Sequence, residues 1–278
     1  MGLSNYELEL YRQLQEWEET FFTSNTNDFV KTYDYWIEDT FSKLPSELRE
    51  KIFTNIDQWL FYVQNGIQQS QNLTEKIDLL LSEARVKNNQ VYSVNDLKKL
   101  PIEQLNYFAQ QQISNHQLLS LLQGGISSSG NNLLLGVDLP LMLVINLRAV
   151  QLIGASYGYD MRHPFEMMVA LKVFFCATLP RRFQKQEWME LLNEVRDVNH
   201  PFFYDEEEPI TNTTWLTRPL IQAIKLWAIF MINHKKDKGP SLIGIIFGAG
   251  FNHSVTKKIT LFAKHFYQYR LLEEKANS

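Results

Sequence analysis

The sequence predicts an all-α protein, a single multi-helix domain with a buried central helical hairpin. Apolar residues recur at intervals of three and four along most of the chain, and residues that begin or end helices stand between these stretches. Alternating strand patterns are missing except at Ser241–Phe247, which is short and rich in isoleucine. With 278 residues, 45% of them hydrophobic, the chain is long enough to bury a sizeable core.

The first half of the chain is divided by capping residues and prolines. We expect an N-terminal helical extension over residues 1–27, followed by one helical domain over residues 28–273. Four residues within that domain stand at or near the start of an apolar helical pattern: Asp28, Pro45, Thr74 and Pro101. Gly124 and Gly125 follow the pattern that begins near Pro101, and we expect them to end that helix.

The second half contains the predicted central hairpin, Leu133–Leu179. Leu139–Tyr157 is apolar on nearly every face, which is typical of a fully buried helix. Gly158 is expected to end this helix at its C′ position, and Pro164 is expected to begin the next helix at N1, with Glu166 at N3. Further helices are predicted over 184–198, 218–233 and 252–272.

Charge and composition exclude several classes of protein. The 31 acidic residues outnumber the 27 basic ones, and the formal net charge of -4 argues against binding nucleic acid through the net field of the protein. The one cysteine, Cys176, cannot form an intrachain disulfide or a cysteine-rich zinc site, and it lies in an apolar helical pattern. We expect no signal peptide, because the first residues lack a basic start followed by a short apolar run, and charged and polar residues interrupt the longer apolar stretches. We therefore expect a cytoplasmic protein without membrane-spanning helices.

Four residues around the central hairpin form a weak candidate catalytic cluster: Asp138, Asp160, His163 and Glu166. Carboxylate and imidazole groups serve in metal binding and in general acid–base chemistry, so the set is compatible with a metal-dependent hydrolase. The alternative, which we favour, is structural. Asp138 precedes an apolar helix, and His163 to Glu166 has the pattern of a capped helix that begins at Pro164.

Other residues of the central region are interpreted as structural. Arg148 lies in the most apolar helix, where it needs a carboxylate, a carbonyl or water; Glu166 on the following helix is a candidate partner, and anion binding is the alternative. Gly248 and Gly250 lack the third glycine and the βαβ unit of a dinucleotide site, so a close approach between packed helices explains them better. We expect no cofactor and no bound metal.

Basic residues near the C-terminus are the strongest candidates for an interaction. They decorate a predicted amphipathic helix and the stretch before it, and lysines beside apolar surface can hold a protein to anionic lipid. An ordinary helix that packs its apolar stripe on the core, with its lysines in solvent, is the alternative. The candidate residues for membrane or partner contact are Lys235, Lys236, Lys238, Lys257, Lys258, Lys264 and Arg270.

Several short segments, taken in their order and spacing, resemble the EcsC protein family. They are Asp96-Leu-Lys-Lys-Leu-Pro101, Gly136-Val-Asp-Leu-Pro140, Tyr157-Gly-Tyr-Asp160, Pro164-Phe-Glu166, Gly248-Ala-Gly-Phe-Asn252 and Tyr269-Arg-Leu271. The resemblance extends from about residue 30 to 273. It implies a bacterial, mostly helical protein, and the founding member is encoded beside an ATP-binding-cassette (ABC) transporter concerned with secretion. His163 departs from the acidic or polar helix cap that is more usual in the family, which weakens any catalytic role for this position.

Three hypotheses follow from the residues and the resemblance together. The first is a non-enzymatic cytoplasmic protein at the inner face of the membrane, an accessory to ABC transport, secretion or envelope processes, with a membrane surface or a membrane protein as its partner. The second is the metal-dependent hydrolase, and it requires that the four candidate groups converge in a pocket. The third is a soluble scaffold without lipid contact. The sequence leaves the oligomeric state open.

Overall fold

A computed structural model describes residues 3–22, 39–43, 70–127, 135–179, 181–196 and 249–277, together with the single positions 46, 50, 221, 224 and 225. No strand occurs in these parts of the chain, so the all-α prediction is confirmed. The strand considered at Ser241–Phe247 lies outside the described residues. So do nearly all of the helical pattern that begins near Pro45 and nearly all of the predicted helix at 218–233.

Seven α-helices and one short 3₁₀-helix make up the described fold. The 3₁₀-helix, Val94–Lys99, connects α2 to α3. The α-helices are α1 (Asn5–Phe22), α2 (Ser70–Lys87), α3 (Ile102–Ser127), α4 (Leu135–Ser156), α5 (Pro164–Thr178), α6 (Arg181–Arg196) and α7 (Ala249–Asn277).

The turn between α4 and α5 forms where the sequence predicts it. The Gly158 N–H donates to the Ala155 carbonyl and the Tyr159 N–H to the Gly154 carbonyl, the two bonds of a Schellman motif. Gly158 has a φ of 89°, and a Cβ there would lie 2.5 Å from Cγ of Lys98, so the turn needs glycine for its conformation and for space. Pro164 then begins α5, where its missing N–H costs no hydrogen bond.

Three predicted helix boundaries are wrong. Helix α3 continues through Gly124 and Gly125 to Ser127, because a glycine costs a helix only about 1 kcal/mol relative to alanine. Helix α4 begins at Leu135, so Asp138 lies in its first turns instead of before it. Helix α7 begins at Ala249 and includes Gly250, whereas Gly248 lies outside the described residues.

Helices α3, α4 and α7 pack on one another and form the centre of the molecule. Near one end of this bundle, the side-chain oxygen of Asn106 accepts hydrogen bonds from the Tyr157 hydroxyl at 2.7 Å and the Gln268 amide at 2.6 Å. Asn106 stands near the start of α3, whereas Tyr157 follows the end of α4 and Gln268 lies late in α7. Helices α4 and α7 are therefore both antiparallel to α3. We call this end of the bundle the Asn106 end.

Helix α5 completes the buried hairpin with α4, as predicted. Most of its residues are buried, and α6 packs on its other side. Gly154 allows α4 and α7 to approach closely, since a Cβ there would lie 2.6 Å from Cζ of Tyr267 and 2.3 Å from Cε of Met161. Cys176 is buried, and burial raises the pKa of its thiol, as expected for a core residue.

Helix α1 packs on α6 and α7 through aromatic side chains. The Trp17 ring lies 5.6 Å from that of Trp188 and 4.3 Å from that of His265, centroid to centroid. The indole N–H of Trp188 also donates to Glu18 at 2.9 Å. The N-terminal helix is thus joined to the other helices by direct contacts.

Candidate functional site

Asp160, in the turn before α5, forms a local ion pair with Arg162. Its carboxylate accepts hydrogen bonds from the side chain of Arg162, at 2.5 Å from Nη2 and 2.8 Å from Nε, and from the Arg162 backbone N–H at 3.0 Å. Burial acts to raise the pKa of Asp160, but these hydrogen bonds outweigh it and lower the net pKa, with a smaller contribution from His163. A carboxylate held in this way stays ionised and paired at neutral pH.

Glu166, in the first turn of α5, pairs with Arg270 of α7. The guanidinium donates to both carboxylate oxygens, at 2.7 and 2.8 Å, and the two side chains are almost wholly buried. The Cζ atom of Arg270 lies 3.9 Å from the ring centroid of Tyr159. Burial acts to lower the pKa of Arg270, but Tyr159 and Glu166 raise it by more than burial lowers it. The net pKa therefore lies above the usual value, and this arginine remains charged.

This pair corrects two predictions. The charged partner that the structure gives Glu166 is Arg270, which binds both carboxylate oxygens, whereas the sequence suggested Arg148. Arg270 is not a surface contact, because only 5% of it is exposed. Arg148 itself is half-buried on α4, where burial lowers its pKa to about 10, and its charge also acts on Lys76 and His116.

His163 and Asp138 are the other two members of the predicted cluster. His163 is exposed and occupies the N-cap of α5, without a side-chain hydrogen bond to the helix. The side chain of Asp138 is outside what the structure describes. Across the described residues, no three His, Cys, Asp or Glu side chains are grouped as metal ligands would be. The convergence that the hydrolase hypothesis requires is therefore not seen, since Asp160 and Glu166 each bind an arginine.

The predicted basic residues of α7 differ in exposure. Lys257 is exposed, whereas Lys258 and Lys264 are only partly so. The partial burial of Lys264 lowers the pKa of its ammonium group. Lys235, Lys236 and Lys238 lie outside the described residues.

The end of the bundle opposite Asn106 exposes leucines. The exposed fraction is 57% for Leu118, 43% for Leu119 and 60% for Leu122 on α3, and 43% for Leu141 on α4. At a rise of 1.5 Å per residue, Leu122 and Leu141 each lie about 24 Å along their helices from the Asn106 level, so they belong to the same end. We call these four residues the leucine end.

Lys257 belongs to this half of the molecule as well. It precedes Gln268 on α7, so it lies about 16 Å from the Asn106 level, close to the level of Leu118. Residues 249–272 of α7 contain no Asp or Glu, and neither do residues 104–127 of α3. Along the three central helices the carboxylates are therefore concentrated toward the Asn106 end, where Glu103, Glu273 and Glu274 lie, and Asp138 is the exception.

The sequence patterns named these leucines as apolar helix positions but did not indicate that they are exposed. A sequence signal is nevertheless present, because Leu118, Leu119, Leu121 and Leu122 cover more than one face of α3, and one core-facing stripe cannot bury them all. The contact between Asp160 and Arg162 also has a sequence signal, because an aspartate at a turn commonly accepts the backbone N–H of the residue two positions later. The partner of Glu166 had none.

The fold and this surface define an all-α bundle protein with paired charges in its interior and an apolar end that carries lysine. No helix in the described parts of the chain is long and apolar enough to cross a membrane. The chain belongs to the EcsC protein family, whose family model matches residues 9–272. The match includes most of α1, and so begins earlier than the resemblance predicted.

Two relatives from Bacillus subtilis (strain 168) support this membership. The chain is 22% identical over 257 residues to the "uncharacterized protein YdbA", covering 86% of this chain and 87% of that protein. It is 21% identical over 207 residues to "protein EcsC", covering 73% of this chain and 79% of that protein. No solved structure matches the chain.

Proposed function

We propose that this EcsC family member is a non-enzymatic accessory protein at the inner face of the membrane, serving ABC transport, secretion or envelope processes. It binds the anionic lipid surface with the half of the bundle that carries the leucine end and Lys257. The observation that carries the proposal is the uneven charge along α3 and α7, whose carboxylates Glu103, Glu273 and Glu274 lie at the Asn106 end, whereas exposed leucines of α3 and Lys257 of α7 lie toward the other end.

Such a surface matches the chemistry of a cytoplasmic leaflet. Each lysine close to an anionic surface contributes about 1 kcal/mol, and one weak signal is not enough for stable attachment. Lys257 provides charge and the leucines provide apolar area, so the two contributions are combined on one half of the protein. Lys185 adds to this charge. It is exposed at the start of α6, next to Gln184, whose amide binds the Cys176 and Ala177 carbonyls near the far end of α5.

Co-sedimentation of the full chain with vesicles tests the proposal. One set of vesicles contains phosphatidylcholine alone, and the other contains phosphatidylcholine mixed with phosphatidylglycerol. We expect the protein to pellet with the anionic vesicles and to be released as the salt concentration rises, because screening weakens surface electrostatics. Equal recovery in the supernatant with both sets would contradict lipid binding and favour a soluble scaffold.

A pair of lysine variants provides the matched control. Lys257→Glu reverses a charge on the proposed contact surface, and we expect it to weaken binding to anionic vesicles by about tenfold or more. Lys99→Glu makes the same change at the Asn106 end, where this lysine is exposed and pairs with Asp96, and we expect binding to change little. The same loss in both variants would show that binding follows net charge and not this surface.

A further inference from the structure

We infer that the last two turns of α7 form a salt-sensitive clasp, which holds α1, α6 and the 3₁₀-helix closed at the Asn106 end as one cooperative unit. The clasp consists of Arg270, Glu273, Glu274 and Lys275, each of which pairs with a different helix. This inference does not depend on lipid binding. It assigns a conformational role to the end of the bundle that lies opposite the leucine end.

Three consecutive residues form the outer pairs of the clasp. Each pair joins α7 to another helix at 2.5–2.8 Å, donor to acceptor: Glu273 with Arg196 of α6, Glu274 with Lys98 of the 3₁₀-helix, and Lys275 with Glu7 of α1. The six side chains are between 12% and 42% exposed. Dissolved ions therefore reach these pairs and screen them.

Arg270 continues the clasp into the interior. Its guanidinium binds Glu166 of α5, and its Nε donates to Glu274 at 3.1 Å, so the buried pair is joined to an outer one. Arg270 and Lys98 also lie against the ring of Tyr159, with Cζ at 3.9 Å and Nζ at 4.1 Å from the ring centroid. The turn before α5 thus contacts both cations. Because the Glu166–Arg270 pair is almost wholly buried, salt screens it little, and we expect α5 to stay closed.

Helix α7 makes the outer pairs depend on one another. Glu274 lies in the last turn of α7, where a carboxylate opposes the negative end of the helix dipole, and its contacts with Lys98 and Arg270 offset that cost. A single exposed ion pair contributes only about 0–1 kcal/mol, but fraying of the end of α7 breaks all three outer pairs together. Loss of one pair therefore loosens the helix end and the elements that the other two pairs hold.

Hydrogen exchange of the full chain, without vesicles, tests the clasp. Lys275→Met removes the pair with α1, and far-UV circular dichroism confirms that the variant is folded. We expect exchange to rise about two- to fivefold in α1 and also in Val94–Lys99, whose pair is with Glu274, while exchange in α5 stays unchanged. In about 1 M salt, where the Debye length is about 3 Å, the parent should exchange as fast as the variant in both segments.

Arg12→Met is the matched control, because the ion pairs of Arg12 are with Glu9 and Glu16 inside α1. We expect Val94–Lys99 to exchange at the parent rate in this variant. Unchanged exchange of Val94–Lys99 in Lys275→Met would show that the pairs act independently, and it would overturn the clasp. An equal rise in α5 would show general destabilisation and would overturn it as well. So would exchange in the parent that does not respond to salt.

Discussion

Glu166 and Arg270 are the residues on which the interior depends most. The carboxylate on α5 and the guanidinium on α7 are buried together, and each supplies the charge that the other requires. Breaking a buried pair by removing one charge leaves the other unpaired in a medium of low dielectric constant, whereas loss of an exposed pair has little effect. The pair therefore fixes the hairpin against the C-terminal helix.

Replacing Glu166 with glutamine tests this contribution. We expect Glu166→Gln to lower the free energy of unfolding by about 3–5 kcal/mol, because Arg270 would stay buried without a counter-charge. Urea unfolding followed by circular dichroism gives the value. Glu274→Gln is the matched control, since Glu274 contacts the same arginine at 3.1 Å but is 39% exposed, and its effect should stay below about 1 kcal/mol. Equal effects of the two variants would refute the special role of Glu166.

The buried imidazole of His116, on α3, makes the stability of the protein depend on pH. It is 2% exposed, its Nδ1–H donates to the Gln112 carbonyl at 2.9 Å, and the cations of Lys76 and Arg148 face it. Burial lowers its pKa from 6.5 to about 4. The folded protein therefore binds fewer protons than the unfolded chain between these values, and stability is lost as the pH falls through that range.

Between pH 7 and pH 5, the His116 imidazole is expected to lower the free energy of unfolding by about 2 kcal/mol. His116→Gln should remove that part of the pH dependence, and urea unfolding at the two pH values measures it for variant and parent. His163→Gln controls for the loss of any histidine, because His163 is exposed at a helix N-cap. If His116→Gln and the parent lose the same stability on acidification, the imidazole is not held neutral by burial.

At the scale of elements, Trp17 joins α1 to the rest of the fold. Its ring contacts Trp188 of α6 and His265 of α7, and it is only partly buried. We expect Trp17→Ala to lower the free energy of unfolding by about 2–3 kcal/mol, which is less than the loss for a fully buried tryptophan. We also expect the variant to expose the amides of α1 to hydrogen exchange. Leu8→Ala, at a position that is 52% exposed, should leave the free energy of unfolding and the amide exchange of α1 unchanged. Full amide protection of α1 in Trp17→Ala would contradict this prediction.

The elements also show how much the sequence determines locally. Gly158 and Pro164 predict the turn between α4 and α5 correctly, because positive φ and a missing N–H are properties of single residues. The pair of Glu166 and Arg270 was not predictable, because packing brings together residues on two helices far apart in the chain. The glycine pair at 124 and 125 was misleading, since a modest helix penalty is overcome by tertiary context.

At the scale of the whole molecule, a net charge of -4 conceals an uneven distribution. Helices α3 and α7 carry their carboxylates toward the Asn106 end, whereas the exposed leucines of α3 and Lys257 of α7 lie toward the other end. The predicted site on α7 is thereby redefined, because Arg270 belongs to the interior and Lys257 remains on the surface. The exposure of the leucines emerges only when α3 and α4 are assembled, which is why helical periodicity could not reveal it.

The partition of the full chain into phosphatidylglycerol-containing vesicles tests the role of the leucine end most directly. The parent is compared with the double variant Leu118→Ser/Leu122→Ser and with Val86→Ser on α2, near the Asn106 end, where Nζ of the next residue, Lys87, lies 5.1 Å from the ring centroid of Tyr107. We predict that the double variant partitions about 100-fold more weakly, roughly tenfold for each leucine, while Val86→Ser partitions as the parent does. Equal partition of all three proteins would contradict the claim that the leucine end is the membrane-facing surface.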